Sequence, residues 1–188
     1  MAATDDHPDS PVTAAVVVVV LAAGGGSRYG GAKQLHDAGG RPMLERVLAA
    51  VEQADVGERV VVLGAFADRV LAAVDLHGAR AVVSDRWSEG QAASLHDGLA
   101  TLSADAAVVV LGDGPGLDPR AIARLVGAWN GRTPLAADYG SGRSHPVLLP
   151  RSTWPELPQS GETPGRSVAV RLIDCRDLHP PGDVDYAD

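Results

Sequence analysis

Glycines and basic side chains are concentrated in one short segment, between Leu21 and Leu35, that follows an apolar run. Glycine backbone can approach a ligand closely and can adopt positive φ, and successive N–H groups can form an anion-binding concavity. Arg28 and Lys33 add two cations to this segment. It is predicted to bind an anionic group such as a phosphate, unless it is only a glycine-rich turn. Its glycines are Gly24, Gly25, Gly26, Gly30 and Gly31.

Two familiar phosphate-binding patterns nearly fit this segment. The P-loop spacing G-x-x-x-x-G-K-[ST] can begin at Gly26 and reach Gly31, but Ala32 then occupies the lysine position. The dinucleotide fingerprint G-x-G-x-x-G can begin at Gly24, but Tyr29 then replaces its last glycine. Because each pattern fails by one residue, neither a P-loop nor a dinucleotide site is predicted.

A carboxylate occupies the corresponding place later in the chain. Asp113 lies in the sequence LGDGP, directly after the apolar run Ala106–Leu111. Ligands of open α/β folds bind at the carboxyl ends of the strands, so we expect Asp113 to face the glycine-rich segment. A carboxylate there can hold Mg²⁺ together with phosphate oxygens and water. The alternative is an ordinary turn residue.

Two further acidic residues lie close together in the last segment, GDVDYAD. Asp183 and Asp185 are separated by one residue, so in an extended segment their side chains point to the same side. They can complete a metal site, or they can belong to an acidic, frayed chain end.

A possible anion site precedes a predicted helix in the sequence RWSEGQAASLHDGLATL, residues 86–102. Gly90 and the amides after it open this helix, and helix N-termini attract anions. An ordinary capped helix explains the same residues.

Strands and helices are predicted to alternate along most of the chain. Val16–Leu21 is apolar without alternation, which is typical of a central parallel strand covered on both faces. Alternating strands and helices indicate a parallel, doubly wound sheet. The further predicted strands are Arg59–Leu63, Ala79–Ser84 and Ala106–Leu111, and the predicted helices are Arg41–Ala54, Ala65–Val74, Gln91–Leu102 and Asp118–Trp129.

The C-terminal third is predicted to form a small antiparallel appendage that closes one side of the site. Thr133–Asp138 and His145–Leu149 are short strand-like runs around the turn Gly140–Arg143, and Leu172–Leu178 is a candidate last strand. Residues 1–11 are expected to be a disordered leader, and residues 12–188 a single α/β domain.

Composition limits the partners and the location. The net charge of −8 disfavours nucleic acid and acidic membranes as partners. The apolar run Val12–Ala23 is too short to span a bilayer. The single cysteine, Cys175, cannot form an internal disulfide and is predicted to be packed in a strand, which suits a cytoplasmic protein.

The spacing L-A-A-G-x-G-x-R-x-G-x-x-K, from Leu21 to Lys33, resembles the signature loop of the MobA-like NTP transferases, which include the molybdenum cofactor cytidylyl- and guanylyltransferases. The resemblance implies a Rossmann-like nucleotidyltransferase fold. It also implies that Arg28 and Lys33 neutralise the triphosphate of the NTP. The loop residues implied to bind the nucleotide are Leu21, Ala22, Ala23, Gly24, Gly25, Gly26 and Ser27.

Other segments resemble the same family. Gly112, Asp113 and Pro115 match its G-D-x-P pattern, which implies that Asp113 is a metal ligand. The pattern W-x-x-G-x-x-x-S matches Trp87, Gly90 and Ser94. It implies nucleotide contacts for Gly90 and Ser94, and Asp85 occupies a position at which relatives contact the nucleotide.

The C-terminal motifs of the family are matched less fully. GRSHPVLLP resembles the segment that lines the acceptor pocket, which makes His145 an acceptor-binding candidate. GETPGR has Glu162 where aspartate is usual. DVDYAD resembles D-[IV]-D-T-P-x-D, which implies metal ligation by Asp183 and Asp185, although Tyr186 and Ala187 replace the Thr-Pro pair.

The resemblance implies a Mg²⁺-dependent enzyme that transfers CMP from CTP to a phosphorylated acceptor. The L-A-A-G sequence is the form that relatives using CTP tend to carry, and it favours molybdopterin as acceptor. Another NTP, or a sugar-phosphate or phospholactate acceptor, is an alternative on the same fold. A non-catalytic nucleotide-binding maturation factor, with a molybdoenzyme or chaperone partner, is a second alternative, and a purely structural α/β domain is a third.

Overall fold

The strands of this protein form one sheet in the computed structural model, which describes residues 14–26, 29–161 and 168–182. Apolar, β-branched runs supply its central strands. The strands are β1 (Val16–Ala22), β2 (Arg59–Leu63), β3 (Arg80–Val83), β4 (Ala106–Leu111), β5 (Leu135–Asp138), β6 (Arg143–Pro150) and β7 (Arg171–Asp174). The α-helices are α1 (Met43–Gln53), α2 (Ala67–Ala73), α3 (Gln91–Ala100) and α4 (Pro119–Ala128). Short 3-10 helices cover Lys33–Leu35, Trp87–Glu89 and Arg151–Glu156.

The sheet order is β3-β2-β1-β4-β6-β5-β7. β3, β2, β1 and β4 are parallel, with Val18 opposite both Arg59 and Val108. β6 runs antiparallel to β4 and β5, and β7 is parallel to β5. The predicted doubly wound, mostly parallel fold is therefore confirmed. The antiparallel strands at the C-terminal end are integrated into the main sheet, because β6 pairs directly with β4.

The core lies on both faces of the central strands. Along β1, Val18 and Val20 belong to one buried cluster and Val17, Val19 and Leu21 to the other, as the two-residue period of a strand requires. Helices α1, α2 and α4 bury their apolar sides in the first cluster, and α3 buries Leu95 and Leu99 in the second. This two-sided burial explains why β1 lacks polar alternation.

The predicted element boundaries differ from the observed ones where turns take over. The helix predicted from Ala65 begins at Ala67, because the Ala67 N–H donates to the Gly64 carbonyl in a turn. The strand predicted over Leu172–Leu178 ends at Asp174, whose side chain accepts a hydrogen bond from the Arg176 N–H. Cys175 lies just after the strand and is fully buried, with its N–H donating to Asp138.

No helix among residues 14–26, 29–161 and 168–182 is long and apolar enough to cross a bilayer. The leader predicted over residues 1–11 lies outside the described residues.

Candidate active site

The loop after β1 turns sharply through two glycines. Gly26 has φ +58° and Gly30 has φ +80°, and the Gly30 N–H donates to the Gly26 carbonyl at 2.8 Å. A Cβ on Gly26 would lie 2.0 Å from the Gly31 carbonyl oxygen, so only glycine fits there. The turn brings the chain back towards the sheet edge at Lys33. Ser27 and Arg28, two of the candidate nucleotide-binding residues, lie outside the described residues.

The side chain of Gln34 holds the start of this loop through two hydrogen bonds. Its side chain is buried, and its Nε2 donates to the carbonyls of Ala22 at 2.7 Å and Gly24 at 3.0 Å. The Oε1 atom is buried without a hydrogen-bond partner. Sequence reasoning missed Gln34. Its place next to Lys33, at the end of the glycine-rich segment, is the only sequence signal that could have drawn attention to it.

Tyr29 and His36 close the loop at its other end. The Tyr29 hydroxyl and Nδ1 of His36 share a hydrogen bond of 2.5 Å, and the two rings meet edge to face with centroids 5.5 Å apart. His36 also holds the neighbouring backbone, because its N–H donates to Lys33 and its carbonyl accepts from Met43. No role was predicted for His36 from the sequence. In the structure its side chain and backbone help to hold the loop.

Lys33 and Asp113 meet at the carboxyl edge of the sheet. Nζ of Lys33 lies 2.9 Å from Oδ2 of Asp113, with side-chain exposures of 14% and 35%. The two residues are 80 positions apart and follow β1 and β4, which are adjacent strands. The structure thus joins the candidate phosphate-binding cation to the candidate metal ligand.

The segment around Asp113 packs tightly against its neighbours. The Gly112 N–H donates to the Leu21 carbonyl at 2.9 Å, and a Cβ on Gly112 would lie 2.9 Å from the Ala22 methyl group. The Gly116 N–H donates to the Pro181 carbonyl at 2.9 Å, and a Cβ on Gly114 would lie 2.8 Å from Pro181. The last described part of the chain therefore crosses the turn that carries Asp113.

The candidate metal ligands are described only in part. Asp183 and Asp185 lie outside the described residues, although Asp183 directly follows Gly182, whose carbonyl oxygen would be 3.1 Å from a Cβ on Gly114. Within the described ranges, no group of three or more His, Cys, Asp or Glu side chains is arranged to hold a metal ion. Asp113 by itself suits Mg²⁺, because this ion commonly takes one or two carboxylates and completes its shell with phosphate oxygens and water.

His145 lies on β6, beside the end of β4. Because Val109 pairs with Val147, His145 reaches the level at which β4 ends. Burial lowers the pKa of His145 to about 4, with a further lowering by the positive charge of Arg143 and an opposing effect of Asp113. The imidazole is therefore neutral at pH 7. Arg143 is directed to the Val168 carbonyl, to which it donates at 2.7 Å.

Trp87 covers the ends of β1 and β2. A Cβ on Gly25 would lie 3.0 Å from its ring, and a Cβ on Gly64 would lie 2.5 Å from Cβ of Trp87. Trp87 keeps 37% of its surface exposed. The nearby candidate Asp85 is also exposed, at the same edge of the sheet.

The start of α3 is in contact with the segment that ends at Gly161. Gly90 has φ +108°, and a Cβ there would lie 2.7 Å from the Gly161 carbonyl oxygen, which accepts the Ala92 N–H at 2.8 Å. That N–H is therefore already hydrogen-bonded within the protein. The close approach of Gly161 is by itself sufficient to explain why residue 90 is a glycine. Ser94 is buried on the same helix. Of the GETPGR motif only Gly161 is described, and Glu162 and the residues up to Arg166 lie outside the described residues.

Comparisons with known proteins cover most of the chain. The family described as MobA-like NTP transferase domain matches residues 18–176. A nicotine blue oxidoreductase of Paenarthrobacter nicotinovorans is 33% identical over 171 residues, which are 82% of this chain and 84% of that protein.

Two crystal structures with similar folds have related sequences. The homologue of Mycobacterium tuberculosis Rv0371c from Mycobacterium sp. strain JC1 gives a TM-score of 0.78 at 30% identity, over 91% of this chain and 90% of that one. Rv0371c of Mycobacterium tuberculosis H37Rv in complex with manganese gives a TM-score of 0.71 at 29% identity, over 85% and 87% of the two chains. The matched family region begins within β1 and includes the glycine-rich loop, Asp113 and His145.

Proposed function

Because the chain belongs to the MobA-like NTP transferase family, we propose that it transfers CMP from CTP to a phosphorylated small molecule and releases pyrophosphate. An acceptor phosphate oxygen attacks the α-phosphorus of CTP in line as the bond to the pyrophosphate oxygen breaks. No covalent enzyme intermediate is needed, so catalysis consists of positioning and charge stabilisation. We propose molybdopterin as the first acceptor to test, because Leu21–Gly24 has the L-A-A-G sequence that relatives using CTP tend to carry.

The observation that carries this proposal is the meeting of Lys33 and Asp113. A cation and a carboxylate from the segments that follow two adjacent parallel strands, β1 and β4, lie 2.9 Å apart at the sheet edge where α/β folds bind ligands. Lys33, with Arg28, is proposed to neutralise the triphosphate and the leaving pyrophosphate. A structural α/β domain has no need for both groups at this edge.

Asp113, with Asp183 or Asp185, is proposed to hold a divalent cation, Mg²⁺ in the first instance. A bound Mg²⁺ offsets negative charge on the phosphate oxygens as it develops. Support comes from the packing of Pro181 and Gly182 on Gly114, because Asp183 is the next residue of the chain. The complex of the related Rv0371c with manganese is consistent with a divalent cation.

The remaining candidates are proposed to bind the two substrates. The loop from Leu21 to Ser27 would contact the nucleotide, and Asp85, Gly90 and Ser94 are further candidates on the β3–α3 side. His145 is proposed to contact the acceptor, because its neutral imidazole beside Asp113 can donate or accept a hydrogen bond without adding charge.

A second candidate function follows from the relative named nicotine blue oxidoreductase, which is 33% identical. This chain would then transfer electrons to a dye-like substrate, and the glycine-rich loop would bind a nucleotide cofactor. The dinucleotide fingerprint fails at Tyr29, and we therefore place this function second.

The deciding experiment is a pyrophosphate-release assay with CTP, GTP or ATP, Mg²⁺ and a molybdopterin acceptor. Wild type is compared with Asp113→Asn, which keeps the side-chain size and removes the charge. Release that depends on CTP and acceptor, and that is lost in the variant, supports the proposal. If pyrophosphate is released only when a sugar phosphate or phospholactate replaces molybdopterin in the assay, that compound is the acceptor instead.

Two other outcomes would redirect the assignment. Nucleotide binding without release from any NTP would favour the non-catalytic maturation factor, with a molybdoenzyme or chaperone partner. Oxidation of a reduced nicotinamide cofactor with nicotine blue, combined with no release, would favour the oxidoreductase.

A further inference from the structure

Two groups that the proposed function assigns to different ligands are bonded to each other. Lys33 is assigned to the triphosphate and Asp113 to a divalent cation, yet Nζ of Lys33 lies 2.9 Å from Oδ2 of Asp113. An ammonium at this distance fills one acceptor direction of the carboxylate and also repels a second cation. An ammonium on Asp113 therefore disfavours the binding of a divalent cation to this carboxylate.

The backbone of Lys33 is held by hydrogen bonds, whereas its side chain is long and flexible. The Lys33 N–H donates to the Gly31 carbonyl at 2.9 Å, and the Lys33 carbonyl accepts from the His36 N–H at 3.0 Å. Rotation of the flexible lysine stem would carry the ammonium from Asp113 to another anion. The low exposure of the Lys33 side chain, 14%, limits screening of the pair by solvent and salt.

The residue type also suits a cation that changes partners. Lys33 is the only lysine among the sixteen lysine and arginine residues of the chain. A guanidinium would hold the carboxylate through a rigid, bidentate fork, whereas an ammonium is a compact point charge on a flexible stem. Within the described part of this loop, the basic side chain that faces Asp113 is thus a lysine and not an arginine.

We propose that Lys33 is an internal substitute for the divalent cation on Asp113, and that the nucleotide triphosphate removes it. The triphosphate attracts the ammonium away from Oδ2, so that Asp113 binds the metal tightly only when nucleotide is present. This inference rests on the proposed function for the roles of the two residues. By linkage, the metal strengthens nucleotide binding by the same factor as the nucleotide strengthens metal binding.

The test measures Mn²⁺ binding to the full chain without nucleotide, by the electron paramagnetic resonance signal of free Mn²⁺. Lys33→Met is expected to bind Mn²⁺ about three- to tenfold more tightly than wild type, because the competing ammonium is gone. Lys33→Arg is expected to bind no more tightly than wild type. Arg132→Met removes one positive charge at an exposed position and is expected to leave Mn²⁺ binding unchanged.

A second arm adds a nonhydrolysable CTP analogue. The analogue is expected to increase the Mn²⁺ affinity of wild type by a larger factor than that of Lys33→Met, because part of the coupling passes through the ammonium. A role of Lys33 in structure alone would leave this ratio unchanged.

A third measurement follows the Lys33 amine directly in the wild-type chain. Reductive ¹³C-methylation labels one ε-amine, that of Lys33, and Asp113→Asn gives the NMR shift of this amine without the carboxylate. Mg²⁺ together with the analogue is expected to move the wild-type signal towards that shift. An unmoved signal would contradict the exchange.

The outcomes separate this inference from the proposed function. Mn²⁺ binding by Lys33→Met that equals or falls below that of wild type overturns the competition. Tighter binding by Lys33→Met, combined with no pyrophosphate release from any NTP, supports the competition and removes the transfer function. Absence of Mn²⁺ binding in every variant, with and without the analogue, overturns both the competition and the metal role of Asp113.

Discussion

Gln34 shows how one buried side chain can set the shape of a binding loop. Its amide nitrogen donates to the carbonyls of Ala22, at the end of β1, and of Gly24, in the loop that follows. Buried carbonyls of this kind need a donor, so the amide ties the end of β1 to the return of the loop.

Replacing Gln34 by methionine removes both hydrogen bonds at nearly constant volume. We expect a loss of about 1 kcal/mol in unfolding free energy, together with weaker nucleotide binding. Urea unfolding and calorimetric titration with CTP measure the two effects. The matched substitution Gln53→Met, at an exposed position on α1, is expected to change neither. Unchanged CTP binding in Gln34→Met would contradict a role in shaping the loop.

His145 predicts a pH dependence of stability with a definite sign. Its pKa is about 4 in the folded protein and near 6.5 in an unfolded chain. Between these values the unfolded chain binds a proton that the folded chain does not. The contribution of the neutral imidazole to stability is therefore complete above pH 6.5 and is lost as the pH falls towards 4.

His145→Gln is accordingly expected to lose less stability than wild type between pH 7 and pH 5, by about 1–2 kcal/mol. Unfolding by urea at the two pH values measures the difference, and the carboxylates common to both proteins cancel. His179→Gln, at an exposed position, serves as control and should follow wild type. Equal losses in wild type and His145→Gln would show that burial does not perturb this imidazole.

At the scale of elements, the site depends on close packing between the residues that follow β1 and β2. Gly64 follows β2, and a Cβ there would lie 2.4 Å from the Ala23 carbonyl oxygen and 2.5 Å from Cβ of Trp87. The Ala65 N–H also donates to Ala23, at 3.2 Å. The ends of β1 and β2 and the turn after β3 are thus packed as one unit, and the glycine-rich loop emerges from it.

Gly64→Ala is expected to separate these ends. The added methyl group meets backbone as well as tryptophan, so we expect a loss of about 1–3 kcal/mol in stability and weaker nucleotide binding without any change in charge. Gly127→Ala provides the control, because its Cβ would meet nothing within 4 Å on α4. That helix substitution should stabilise the protein by roughly 0.5–1 kcal/mol. Thermal unfolding of both variants checks the contrast, and a stable Gly64→Ala with normal CTP binding would contradict it.

At the scale of the whole molecule, stability is concentrated in the centre of the sheet. β1 pairs with β2 on one side and with β4 on the other, and Val19 is completely buried. β3 lies at one edge of the sheet, and Val83 at its end is 51% exposed. The same residue type therefore occupies two very different environments.

Val19→Ala is expected to cost about 2 kcal/mol through lost burial and the cavity left behind. Val83→Ala, the matched change at the sheet edge, should remain within about 0.5 kcal/mol of wild type. Denaturant midpoints with unchanged m-values would measure both effects. Similar losses at the two positions would contradict the burial difference.

The sequence was sufficient for features that depend on neighbouring residues. Apolar runs without alternation predicted Arg59–Leu63 and Ala106–Leu111 with their observed bounds, because buried parallel strands must be apolar on both faces. The order of strands and helices then placed the glycine-rich loop and Asp113 at one sheet edge, since a parallel sheet brings its carboxyl ends together.

Only the tertiary structure decided contacts between residues distant in the chain. The Lys33–Asp113 ion pair, the carbonyls held by Gln34 and the close approach of Gly90 to Gly161 join segments that no local pattern connects. The pairing of β6 with β4 likewise depends on the competition among all strands for partners, which periodicity does not encode. Local patterns fix which residues form an element, whereas side-chain packing across elements decides which functional groups meet.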